Sequence, residues 1–155
     1  MTSVGFYHLT RTSMEQALPS LLIRTRQQKQ KGIVLCKDDE QLKKLTEILW
    51  NIIDPIWLPH GCHVKDYRDE YPEWQPIWLT TFEENPNQAA YLFVVHGQSV
   101  NDISQFERVF DLFDGKEEQF VLAARERWRK LKKAGHDLTY WKQTEKGWEK
   151  GWEKG

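Results

Sequence analysis

The chain has 155 residues, a formal net charge of −1, 29% charged residues and 13% aromatics, with a mean hydropathy of −0.72. Eight tryptophans are too many for a disordered chain, and no apolar run approaches the roughly 18 to 20 residues that span a bilayer. The opening residues, MTSVGFYHLT, lack a basic start followed by an apolar stretch, so no secretory leader is expected and the expected location is cytoplasmic.

In chain order, residues 4–9 (VGFYHL) read as a first strand, and Ser13 is placed to cap a helix over 14–30 that carries Pro19 early. Gly32 breaks that pattern. Ile33, Val34, Leu35 and Cys36 then form a continuous apolar run of the kind found in buried parallel strands. Lys37, Asp38 and Asp39 open a second helix, with Leu42, Leu45, Ile48, Leu49 and Ile52 at periodic positions. Strand and helix in alternation predict an α/β, three-layer fold built on a largely parallel sheet. Four prolines, Pro55, Pro59, Pro72 and Pro76, bracket 54–75, predicted as an exposed, loop-rich excursion.

Further strands are predicted over 77–80 and 91–95, separated by the turn-rich Glu84-Asn85-Pro86-Asn87. Residues 103–113 are predicted to be helical in part, and 120–134 to form a final helix capped by Gly135. The expected organisation is one α/β domain over 1–142. The remaining 143–155, ending in the repeat GWEKGWEKG, is expected to be a frayed or disordered tail.

The final helix carries the strongest functional signal. Arg125, Trp128, Arg129 and Lys132 fall at i, i+3, i+4 and i+7, one face of a helix, and 125–133 holds six basic residues against one acid, Glu126. An indole among cations suits an anionic ligand with an apolar part. The opposite stripe, Phe120, Ala123, Ala124, Leu131 and Ala134, is expected to face the core. Arg127 points the same way and is expected to form an ion pair with a neighbouring carboxylate. Trp50, Trp78 and Trp141 read as core or edge packing.

Signals for other chemistry are sparse. His60, Cys62 and His63 cluster in PHGCH without a CxxC partner or an HExxH helix, which reads as a loop and not as a zinc site. The first strand-to-helix junction, Leu9-Thr10-Arg11-Thr12-Ser13, contains no glycine, and the second carries carboxylates where a phosphate would need backbone N–H groups. No G-x-S-x-G elbow is present. The two cysteines, Cys36 and Cys62, read as reduced small hydrophobes.

The segments WNIIDPIWLPHG (50–61), LTTFEENPN (79–87) and ARERW…AGHDLTYW (124–141) resemble the chi subunit family of bacterial DNA polymerase III holoenzyme, with an alphaproteobacterial pattern of variants. The resemblance runs from Val4-Gly5-Phe6-Tyr7 through Trp141. It implies a sheet of nucleotide-binding-like topology without the Gly-rich phosphate loop, no catalysis of its own within a DNA-directed DNA polymerase complex, no cofactor and no metal. It further implies two partners: the acidic C-terminal tail of single-stranded DNA-binding protein, ending in Pro-Phe, and the psi subunit or another clamp-loader component. A psi-docking patch is expected near the first helix and Tyr7. DNA would be engaged only indirectly, and a membrane not at all. By the same resemblance Trp57, Phe113 and Trp128 would wall a pocket for the terminal phenylalanine. Arg125 would hold the terminal carboxylate, and Arg129 with Lys132 would face the tail's aspartates. Val121 stands where the family carries a lysine, so either Lys116 substitutes or the site has one cation fewer. The competing expectation is direct binding of single-stranded nucleic acid by the basic, aromatic helix.

Overall fold

The computed structural model describes residues 2–51, 58–96 and 100–151. It begins with β1 (Ser3–Leu9), α1 (Met14–Gln27), β2 (Gly32–Leu35) and α2 (Asp39–Trp50), in the predicted alternation. Ser13 starts α1 with a reciprocal capping box: its hydroxyl accepts from the Gln16 N–H, and the Gln16 side chain accepts from the Ser13 N–H. Asp38 starts α2 by accepting from the Gln41 N–H at 2.8 Å. After these come β3 (His60–Val64), β4 (Tyr67–Arg68), β5 (Ile77–Thr80), β6 (Tyr91–Val95), β7 (Arg108–Asp114), α3 (Glu118–Lys133), β8 (Asp137–Thr144) and β9 (Gly147–Lys150).

The nine strands among the described residues form one sheet in the order β4-β3-β5-β2-β6-β7-β1-β8-β9. Interior pairings are parallel, and antiparallel pairs occur only at the two edges, β3 with β4 and β8 with β9. Alternation sends Tyr7, Leu9, Phe93 and Val95 to the side of Leu18, Leu22, Leu42 and Leu45 on α1 and α2. Val4, Phe6, Leu92 and Val94 go to the other side, against Ala124 and Trp128 of α3. This is a three-layer α/β fold with a mostly parallel sheet. Because both faces are covered, strands such as Tyr91–Val95 are buried at every position and read as unbroken apolar runs. No helix among the described residues is long and apolar enough to cross a membrane.

Four expectations need correction. Residues 103–113 are not helical: the chain turns through Ile103 and Phe106 and enters β7, inserted between β6 and β1. The VFDLF run is buried on both sides, which suits a central strand, and Asp111 interrupts its apolar pattern only because Arg127 meets it. Residues 54–75 are not simply a loop. From 60 onward they form β3, β4 and a short 3-10 turn, Pro72–Trp74, with β3 drawn into register beside β5.

The tail boundary moves as well. The expectation of fraying from 143 fails because β1 offers an open edge on which β8 pairs in parallel, and β9 folds back along β8 through Thr144 and Gly147. Gly147 takes φ +111 at that turn, and a Cβ on Gly151 would run into the Tyr140 ring, so the glycines on either side of Trp148-Glu149-Lys150 are what allow the hairpin to close. Trp148 packs edge-on against Tyr7 at 5.1 Å. Residues 152–155 lie outside the described residues.

In α3 the apolar stripe is rotated relative to expectation. Ala124, Arg127 and Trp128 are buried, Phe120 and Leu131 are half-buried, and Ala123 and Ala134 are exposed. Trp128, surrounded in sequence by cations, nonetheless turns inward because it is the helix's largest apolar group and finds Phe6 edge-to-face at 5.2 Å. The helix ends at Gly135, with φ +92, as expected. Trp78 is fully buried, whereas Trp50 is exposed and lies against the His60 ring at 4.2 Å.

Candidate functional site

Strand register assembles a site that no single segment contains. Three neighbouring strands place Phe113, His8 and Lys142 side by side, and Phe6 beside Tyr140 two residues earlier. All sit near the C-terminal ends of the parallel strands, on the α3 face. Above them α3 contributes Val121, Ala124, Arg125, Trp128 and Arg129, at i, i+3, i+4, i+7 and i+8 of one helical face. Between the two lies an open cavity of about 540 Å³, with Gly151 also in its lining.

The cavity is apolar at its base and cationic at its rim. Phe113 and Trp128 are 2% and 5% exposed, and with Phe6 and Val121 they form an aromatic and aliphatic floor. The Trp128 indole N–H has no hydrogen-bond partner among the described residues. Arg129 is held by Glu126 at 3.3 Å. Arg125 and Lys142 form no ion pair with a described residue.

Two polar side chains, His8 and Tyr140, also line the cavity. The Tyr140 hydroxyl hydrogen-bonds His8 Nδ1. Burial pushes the His8 pKa down, a bond to the Gly115 backbone opposes that, and the positive charges of Lys142 and Arg125 lower it further. Burial likewise raises the Tyr140 pKa, with Arg125 opposing. The lowered His8 pKa suits an imidazole that accepts a hydrogen bond from the phenol O–H, beside the cations Arg125, Arg129 and Lys142 that line the site.

Of the residues expected from the sequence, Phe113, Val121, Arg125, Trp128 and Arg129 line this cavity. Lys132 is exposed on α3 and is not part of the lining. Lys116, whose backbone N–H donates to Asp114, is not part of it either. Trp57 lies outside the described residues. Sequence reasoning missed Phe6, His8, Tyr140, Lys142 and Gly151: no strand was expected over 137–144 to stand beside β1, and Gly151 fell in the expected tail. The alternation of Tyr140 and Lys142 after the stop at Gly135 was the available signal.

Arg127 forms the expected ion pair, with Nε and Nη2 donating to the two Asp111 oxygens at 2.7 and 2.8 Å. Burial raises the Asp111 pKa and the guanidinium opposes it. The β1–α1 junction, which the resemblance expects to lack a phosphate loop, is filled from within. Gln143 Oε1 accepts from the N–H groups of Thr10, Arg11 and Thr12 at 3.3, 2.9 and 3.0 Å, and its amide donates to Thr12 Oγ1.

The PHGCH cluster is engaged elsewhere. His60 Nδ1 bonds the Leu58 carbonyl, and His63 meets Glu84 at 2.9 Å. Burial would raise the Glu84 pKa, but bonds from Trp78, His63 and Thr80 together bring it below the usual glutamate value. No group of three His, Cys, Asp or Glu side chains among the described residues is placed to hold a metal.

Comparison with known proteins completes the reading. A family model described as DNA polymerase III chi subunit, HolC, matches residues 1–139. A curated protein of Rickettsia prowazekii (strain Madrid E), named "Probable DNA polymerase III subunit chi", is 26% identical over 113 residues. That alignment covers 73% of this chain and 66% of the relative, so the chain spans just under two thirds of the relative's length. With the α/β sheet, the helix and the cavity between them inside or beside the matched region, the chain belongs to the DNA polymerase III chi subunit family.

Proposed function

We propose that this protein is a non-catalytic accessory subunit of the DNA replicase. In this reading it grips the acidic C-terminal tail of single-stranded DNA-binding protein and links that protein to the clamp-loader assembly, through psi or another component. The supporting observation is the cavity's build: a ring-sized apolar base beneath Arg125, a guanidinium with no carboxylate of its own among the described residues. A C-terminal phenylalanine presents an aromatic ring and a carboxylate on the same carbon, and Arg125 can meet the carboxylate with paired charge-assisted bonds. Arg129 stands one turn further along to meet acids upstream.

The rival reading, direct binding of single-stranded nucleic acid, draws on the same aromatic and basic residues. It fits less well, because the net charge is −1 and the cations beside the aromatic floor, Arg125, Arg129 and Lys142, line one cavity instead of tracking a groove.

The test is titration of a labelled peptide carrying several aspartates and a C-terminal Pro-Phe. Micromolar binding is expected, about −8 kcal/mol, with at least tenfold weakening when the C-terminus is amidated. Arg125→Ala should cost on the order of 2 kcal/mol of binding. Equal affinity for the acid and the amide would remove the carboxylate role from Arg125.

A further inference from the structure

We infer that the β8–β9 hairpin is a second, charge-reading wall of this site, with Lys142 as the cation that selects a multiply acidic peptide over one that merely ends in Pro-Phe. The inference rests on the proposed function and adds residues to it. The family match ends at residue 139, before Tyr140, Lys142 and Gly151.

The placement of Lys142 follows from register. It pairs with His8 in the β1–β8 ladder and lines the same cavity as Arg125, one from the sheet and one from the helix. The charges of both bear on the His8 ring lying between them. Arg129 is partly neutralised by Glu126, while Lys142 and Arg125 have no such partner among the described residues. Two cations on opposite walls suit a ligand that offers a terminal carboxylate to one and a side-chain carboxylate to the other. A single carboxylate would leave the second cation idle.

The backbone under Lys142 is held on both sides. Trp141 stacks on Tyr7 at 6.3 Å, and the Gln143 carboxamide is tied to the β1–α1 junction by three accepted bonds. On the returning strand the Gly151 N–H donates to the Tyr140 carbonyl at 2.6 Å. Only the lysine side chain itself must be ordered on binding, which lowers the cost of using it. Glu149 stands opposite Lys142 in the β8–β9 register without forming an ion pair, and its charge works against an acidic ligand.

The experiment compares two labelled peptides on the full chain, one with several aspartates before Pro-Phe and one with asparagines at those positions. Lys142→Gln should weaken the aspartate peptide by about threefold to fivefold, the size of an exposed charge pair, and leave the asparagine peptide within about twofold. Lys142→Arg should restore the aspartate peptide, Lys132→Gln should change it less, and Glu149→Gln should tighten it. Parent-like binding of the aspartate peptide by Lys142→Gln, or equal losses for both peptides, would overturn the role of Lys142 and leave the proposed function standing. Failure of the parent chain to bind either peptide would remove the proposed function and this inference together.

Discussion

Arg125 and Arg127 stand two positions apart in α3 and meet opposite surroundings. Arg127 is 8% exposed and fully engaged with Asp111, so Arg127→Ala would strand a buried carboxylate and should destabilise by roughly 3 to 5 kcal/mol. Arg125 is exposed at the cavity rim, and Arg125→Ala should leave stability within about 0.5 kcal/mol. Urea unfolding of the two variants side by side checks the contrast; equal stability losses would contradict the geometry. Trp128 joins both roles. Its ring is core as well as cavity floor, so truncation to alanine would unsettle the fold, and Trp128→Phe is the variant that isolates binding.

The C-terminal hairpin is the element with the widest reach. Its Gln143 ties down the amides of the β1–α1 junction, and its Trp148 extends the core beyond Tyr7. Gln143→Ala should therefore loosen a junction more than 130 residues away in sequence. The expected readout is faster hydrogen exchange at the Thr10, Arg11 and Thr12 amides, with about 2 kcal/mol lost overall from a cluster of bonds each worth about 1 kcal/mol. Unchanged protection at those amides would show that the junction is held by other contacts.

At the level of the whole molecule, charge distribution separates the two functional readings. A net charge of −1 leaves little general attraction for a polyanion, whereas a cavity that buries one ring keeps its apolar contribution at any ionic strength. Peptide affinity should fall only moderately between low and physiological salt, where the Debye length is about 8 Å. Oligo-dT binding by the chain alone should be very weak at about 150 mM salt, near or above the ~100 μM end of non-specific affinities, since each phosphate neutralised adds about −0.7 to the log-log salt slope. Tight oligo-dT binding at that salt would favour the nucleic-acid reading.

Local pattern was enough to determine the β-α-β-α start, the Ser13 cap, the opening of the second helix around Asp38 and Asp39, the strands over 77–80 and 91–95, the stop at Gly135 and the inward pairing of Arg127, because each depends on neighbours within a turn or a strand. It also singled out Arg125, Trp128 and Arg129 as members of one helical face. The tertiary structure decided the rest. Whether VFDLF became strand or helix depended on a vacant position between β6 and β1, and the fate of GWEKG depended on the free edge that β1 offered to β8. The inward turn of Trp128 was settled by its packing on Phe6, and the presence of His8, Tyr140 and Lys142 around one cavity by strand register. Register is a contact between segments far apart in the chain, and no local window of sequence contains it.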